Sequence, residues 1–302
     1  MRSINITFAT EQEKIEFINK CELEFEERLC QVSGRVVASG AETLLLSGPT
    51  CAGKTTTANK IIQDLEASGR KVTVVSLDNF FKARTEQRSI VGNDDLDYDS
   101  VNALDLDALT EFVKNARQGN KLKMPVYDFI TQSTSHYEDV EIDENGVVIF
   151  EGIQAVYPEI TRLFKNRDYI GVFINVDEDI LLNGIFFSRD DIRLSRRIVR
   201  DYKFRGANAE FSLFLWDKVR KNEDTSIYPN KNAICKIQLN SFMDYELFLL
   251  KEYIIDILNE VDENSKYYVK AKELKDKFIK LDAISYDYVP KKSLYTEFLG
   301  KK

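Results

Sequence analysis

Five short apolar runs punctuate the chain, each broken by a glycine or a polar residue: Thr43–Ser47 ahead of Gly48-Pro49, Val72–Ser76, and residues 147–150, 169–174 and 234–239. Runs this short, rich in Val, Ile and Leu and lacking polar alternation, predict strands covered on both faces, as in a parallel sheet. Between them the apolar residues recur at helical spacing. Residues 11–40 read as mostly helical, with Ile15, Phe17, Ile18, Cys21, Leu23 and Phe25 as packing positions. A second helix runs from Thr55 to about Ala67, where Ser68-Gly69-Arg70 stops it. Leu104, Leu106, Leu109, Phe112 and Val113 mark a third over residues 103–117, and a long helical pattern follows Tyr245. Strands separated by helices predict an α/β fold with helices on both faces of a parallel sheet. The pattern divides the chain into an N-terminal helical segment (1–42), a core (43–245) and a helical C-terminal extension (246–302) that reads as packing or as an oligomer contact, without a chemical role.

Gly48-Pro-Thr-Cys-Ala-Gly53-Lys54-Thr55 lies between the first buried strand and the helix after it. This is a complete phosphate-binding loop. Its glycines let the backbone close on an anion, and the N–H groups at the start of the helix point at that anion. Gly48, Thr50, Cys51, Ala52, Gly53, Lys54, Thr55 and Thr56 thus form the expected phosphate cradle. Lys54 would reach the β- and γ-phosphates and the Thr55 hydroxyl would hold Mg²⁺. A glycine turn that happens to contain lysine is the plainer reading, but such a turn need not sit between a strand and a helix.

Phosphoryl transfer also needs carboxylates for the metal and for the attacking hydroxyl. Asp78 follows the second strand and Glu151 the third, both at C-terminal strand ends, where open α/β sheets bind ligands. Either could be an ordinary turn carboxylate; beside a phosphate loop they become site candidates. Arg193, Arg196, Arg197 and Arg200 share one helical face at i, i+3, i+4 and i+7. They predict a mobile lid around residues 188–225 that closes over a triphosphate. The alternative is a solvated face paired with Asp190, Asp191 and Glu210.

The net charge of −8 over 302 residues argues against nucleic acid as a partner. The N-terminus lacks the apolar core of a signal peptide, and no stretch reaches the ~18 apolar residues of a membrane helix. Cys21, Cys30, Cys51 and Cys235 show no paired spacing and His136 is the single histidine, so reduced thiols in a cytoplasmic protein are expected.

The phosphate loop, Ser76-Leu77-Asp78-Asn79-Phe80-Phe81-Lys82, Tyr98-Asp99, Pro125-Val126-Tyr127-Asp128-Phe129, Val148-Ile149-Phe150-Glu151-Gly152 and the Arg193–Asp201 stretch occur in one order across residues 44–240. In these the chain resembles the uridine kinase and phosphoribulokinase family. It resembles most the bacterial uridine kinase-like proteins that usually carry N-terminal threonyl-tRNA-synthetase-like domains, which are expected to be absent here. The resemblance extends to Trp216–Arg220, Asn240–Glu246 and Val289–Gly300. It implies a P-loop NTPase-type fold, ATP (or GTP) and Mg²⁺ as cofactors, and a small-molecule acceptor, expected to be a nucleoside. Asp78 would be the general base, with Lys54, Arg197 and Arg200 completing the catalytic set. Thr55, Asp78 and Glu151 would arrange the magnesium. Asp99 would grip the ribose and Tyr127 and Phe129 would pack on the base. Arg197 and Arg200 would meet the sugar side and the phosphates, with Arg205 in the lid. This chain departs from the family at Phe81, where a tyrosine is usual, and at Gln132, where a histidine reads the pyrimidine edge. Two lid positions look replaced as well, by Ala207 and a residue near Leu215.

Other readings stay open on the residues alone. A kinase of a sugar phosphate or of a pantothenate-like alcohol would want extra cations at the acceptor, whereas Tyr127 and Phe129 suit a flat apolar moiety. A non-catalytic nucleotide sensor would not need Lys54, Asp78 and Glu151 together. A GTPase would need an Asn-Lys-x-Asp guanine reader, and Asn230-Lys231-Asn232 does not complete one.

Overall fold

The computed structural model describes residues 1–91, 98–116, 121–165 and 168–301. Its ten strands are β1 (Arg2–Ile4), β2 (Thr43–Ser47), β3 (Val72–Ser76), β4 (Lys121–Asp128), β5 (Ser133–Glu141), β6 (Val147–Glu151), β7 (Tyr169–Asn175), β8 (Ile180–Leu182), β9 (Ile185–Phe187) and β10 (Cys235–Asn240). The helices are α1 (Glu11–Ser39), α2 (Lys54–Ala67), α3 (Arg84–Val91), α4 (Leu106–Asn115), α5 (Pro158–Thr161), α6 (Arg189–Phe204), α7 (Ala209–Asn222), α8 (Tyr228–Ile234), α9 (Glu246–Asn259), α10 (Tyr268–Ile279) and α11 (Thr296–Leu299). Of the third helix expected from sequence, Arg117 lies outside the described residues.

The central sheet is parallel, in the order β10-β7-β2-β6-β3. All five predicted strands are in it. Its middle strand, β2, is buried at every position, which is why Leu44, Leu45 and Leu46 run without a polar break. Successive side chains point to opposite faces. Leu44 and Leu46 accordingly join one hydrophobic cluster, with α1, α2, α6 and α9, while Leu45 joins the other, with α4 and β4.

Two features lacked a clear signal in the pattern. The N-terminal residues form β1, which pairs parallel with β8 in a separate three-stranded sheet with β9. Three-residue strands are too short to show periodicity. β4 and β5 form an antiparallel hairpin beside the main sheet. β5 is largely exposed, so no apolar run announces it.

The C-terminal extension packs helically on the core. α9 is buried along much of its length, and Phe278 of α10 meets Phe187 of β9 edge to face at 5.2 Å. Among the described residues no helix is long and apolar enough to cross a membrane.

Candidate active site

β2 ends at Ser47, and the chain turns through the loop into α2. Gly48 is required there by close approach, because a Cβ on it would stand 2.3 Å from the Ile174 carbonyl oxygen of β7. Gly53 adopts φ +94°, in the left-handed region, and caps α2. The first-turn N–H groups of α2 have no intrahelical partner, the arrangement that suits an anion. Lys54 Nζ donates to the carbonyls of Gly48 at 2.9 Å and Pro49 at 3.2 Å, so its charge lies across the loop.

Because β6 pairs with β2 and β3 pairs with the other side of β6, their C-terminal ends bring two carboxylates to the loop's side of the sheet. Glu151 is level with Leu46 of β2 and Ser76 of β3, and Ser76 Oγ donates to Glu151 Oε1 at 2.9 Å. Asp78 lies two residues beyond the end of β3. Burial pushes its pKa up to about 6, and the Glu151 and Asp99 carboxylates push the same way; Lys54 and Arg205 pull it down. Acidic groups held this close suit a cation between them. Among the described residues no three Asp, Glu, Cys or His side chains form a cage able to hold a metal alone. That is compatible with Mg²⁺, which keeps several waters and takes phosphate oxygens with one or two carboxylates. Thr55, Asp78 and Glu151 all line the cleft and would fit such an ion.

The cleft has a volume of about 390 Å³. Thr50, Cys51, Lys54 and Thr55 of the phosphate loop line it together with Arg197, Arg200 and Arg205. Asp201, itself a buried residue of α6, gathers these three arginines. Arg200 Nη2 approaches Asp201 Oδ1 at 2.6 Å, Arg197 Nε approaches Oδ2 at 3.2 Å and Arg205 Nε approaches Oδ1 at 3.6 Å. Phe81, Tyr98 and Phe129 give the lining an aromatic wall, with centroid distances of 5.2 Å for Phe81–Tyr98 and 6.2 Å for Phe81–Phe129. Asp99 lines the cleft beside them. Its backbone carbonyl accepts from Tyr157 Oη at 2.8 Å and from Asn222 Nδ2 at 3.0 Å, which fixes the turn that carries it.

The structure corrects the lid reading for half of the arginine face. Arg193 and Arg196 are wholly buried. Arg193 pairs with Glu223, and Arg196 binds Glu246 through Nε at 2.5 Å and Nη2 at 2.7 Å. Both also reach the loop, Arg193 donating to the Thr50 carbonyl at 3.4 Å and Arg196 to the Cys51 carbonyl at 3.0 Å. They brace the cradle and do not close over it. Of the acidic partners considered from sequence, Asp190 does approach Arg193, at 3.8 Å.

Two residues assigned to the base do not line the cleft. Tyr127 is buried behind Phe129 at 5.2 Å, its hydroxyl 3.3 Å from that of Tyr98. Gln132 stands at φ +54° with its Oε1 accepting from Arg84 Nη1 at 2.6 Å. Gly48, Ala52, Gly53 and Thr56 belong to the loop and the start of α2 and are not themselves among the residues lining the cleft.

Gln154, Lys218, Val219 and Glu297 line the cleft without having been singled out in the sequence. Gln154 follows Glu151 by three residues, and its Nε2 donates to the Tyr98 carbonyl at 2.8 Å. Glu297 overturns the expectation that the C-terminal extension has no place at the site. Its carboxylate receives the Thr56 hydroxyl at 3.4 Å; burial raises its pKa, against Lys54, Arg196 and Arg200.

A phosphate loop on the middle strand of a parallel sheet, with carboxylates at the ends of the next two strands on one side, β6 and β3, defines a P-loop kinase fold. The chain belongs to the phosphoribulokinase/uridine kinase family, whose model matches residues 44–238, more than half of it. It is 32% identical over 162 residues to the uridine kinase of Schizosaccharomyces pombe, a span covering 53% of this chain and 32% of that protein. Against the uridine kinase of Clostridium novyi it is 31% identical over 163 residues, covering 53% of this chain and 68% of the relative. The matched span is about a third of the two yeast relatives, 32% of one and 35% of the Saccharomyces cerevisiae uridine kinase. A solved structure described as a possible uridine kinase from Bacillus stearothermophilus overlays with a TM-score of 0.49 at 19% identity, covering 72% of this chain and 99% of that one.

Proposed function

We propose that this chain transfers the γ-phosphate of ATP to the hydroxyl of a small molecule, with a nucleoside 5′-hydroxyl as the acceptor. The observation that carries the reading is Asp78, a buried carboxyl of raised pKa that senses the charge of Lys54, in the same cleft as an aromatic wall. A base of pKa near 6 is ionised at neutral pH yet basic enough to take a hydroxyl proton as the bond to phosphorus forms. Asp78 would take the proton, the acceptor oxygen would attack the γ-phosphorus, and ADP would leave. Lys54, Arg197 and Arg200 would balance the charge that builds on the transferring group. Mg²⁺, when bound, would neutralise the β- and γ-oxygens, with Thr55, Asp78 and Glu151 as the residues to hold it.

Phe81, Tyr98 and Phe129 would offer a nucleobase an edge-to-face aromatic surface, and Asp99, in the same lining, would accept from ribose hydroxyls. The relatives named uridine kinase support the nucleoside class. The residue that reads the base edge is a separate matter, since Gln132 is engaged by Arg84. Lys218 in the cleft lining favours testing phosphorylated sugars as a second acceptor class.

The deciding experiment is Mg²⁺-dependent release of ADP from ATP, with each nucleoside and several sugar phosphates offered in turn. A response to one nucleoside is the expected result. A response to a sugar phosphate alone moves the acceptor class, and none to any acceptor, with ATP still bound, favours a nucleotide sensor.

A further inference from the structure

The first turn of α2 presents the N–H groups of Lys54, Thr55 and Thr56 without intrahelical acceptors, and the helix dipole adds to their pull on an anion. One anion of the chain itself is already there. Glu297 of α11 accepts from Thr56 Oγ1 at 3.4 Å, and the Thr56 backbone N–H acts on the same carboxylate. Lys54 and Arg200 also act on it, and these are cations assigned above to phosphate. Glu297 lies outside residues 44–238, the span shared with the family.

The backbone that carries Glu297 is fixed. Leu294 is buried against the loop, so that a Cβ on Gly53 would stand 2.4 Å from Leu294 Cδ1. Tyr295 Oη donates to Glu246 Oε2 at 2.8 Å, and the Arg196 guanidinium lies 5.2 Å from the centre of the Phe298 ring. The residues on both sides of Glu297 are therefore tied to the same buried pair that braces Cys51. The glutamate side chain itself lines the cleft.

We propose that Glu297 is a built-in competitor for the phosphate of the donor nucleotide. Its carboxylate takes the Thr56 donors that a phosphate oxygen would use, and it stands as a like charge beside the rest of the phosphate chain. Nucleotide entry turns it aside, and its return favours product release. The proposal rests on the reading of the cleft as a nucleotide site.

The test is titration of the full chain with MgATP, and separately with pyrophosphate, for wild type, Glu297→Gln and Lys54→Ala. Glu297→Gln keeps the shape and removes the charge. It should bind both ligands roughly three- to thirtyfold more tightly, as expected from removing one nearby like charge in a half-buried site. ADP should leave it correspondingly more slowly. Unchanged or weaker binding in a variant that keeps a cooperative unfolding transition overturns the proposal. If Glu297→Gln does not fold, Glu297→Met is read in the same way. Lys54→Ala separates the two claims: if it binds ATP as wild type does, the nucleotide-site reading itself fails.

Discussion

Arg196 donates to the carbonyl oxygen of Cys51 at 3.0 Å from a position with no solvent exposure, so a buried cation on α6 sets the shape of the phosphate loop. Its charge is met by Glu246 of α9, equally buried. Removing one partner of such a pair strands the other, and Glu246→Ala should cost about 3–5 kcal/mol in urea unfolding. Replacing both, as Arg196→Met with Glu246→Leu, should recover much of that stability. It should not recover nucleotide affinity, because the brace on Cys51 is gone. Full affinity in the double variant would show that the loop needs no brace.

Lys54→Ala should abolish phosphoryl transfer while leaving a folded chain. Its Nζ contacts are carbonyls of the loop itself, so the loss falls on the loop and its ligand, and not on the core. Near-normal turnover in a coupled ADP assay would remove the P-loop mechanism.

Asp78→Asn should lower turnover by roughly 10²–10⁴, the share of a positioned base. The same change should stabilise the metal-free protein. The carboxyl has a pKa of about 6 when folded against an ordinary 3.8, so the folded chain holds the proton more tightly than the unfolded one. Asp78 therefore opposes folding most above pH 6, and the opposition fades as pH falls toward 3.8. A shift of this size corresponds to about 1–3 kcal/mol. Thermal unfolding in chelator should show Asp78→Asn more stable than wild type at pH 7.5 and close to it at pH 4. A gain that does not change with pH would mean the carboxylate pays no burial cost.

Gly48→Ala should both destabilise the chain and weaken ATP binding, since its Cβ would stand 2.3 Å from the backbone oxygen of Ile174. Backbone on both sides must shift, at a cost of about 1–3 kcal/mol. Calorimetry with and without ATP separates the two effects, and an unaltered midpoint would show that the loop and β7 move apart freely.

Much of this was legible in the residues. The five buried strands, the glycine loop between β2 and α2, and Asp78 and Glu151 at strand ends are all local patterns. A strand covered on both faces must be apolar throughout, and a loop that wraps phosphate must be rich in glycine. The order of β3, β6 and β2 then carries both carboxylates to the loop.

What only the tertiary structure decided is which charges face each other. Helical spacing places Arg193, Arg196, Arg197 and Arg200 together, but it cannot say that Glu223 and Glu246 bury the first two while Asp201 turns the others toward the cleft. It cannot show that Gln132 is held by Arg84, or that a glutamate near the end of the chain lies on the first turn of α2. The local pattern records which face of a helix or strand is apolar. The partner of a buried charge can lie 50 residues away, as for Arg196 and Glu246, and is settled when the layers pack.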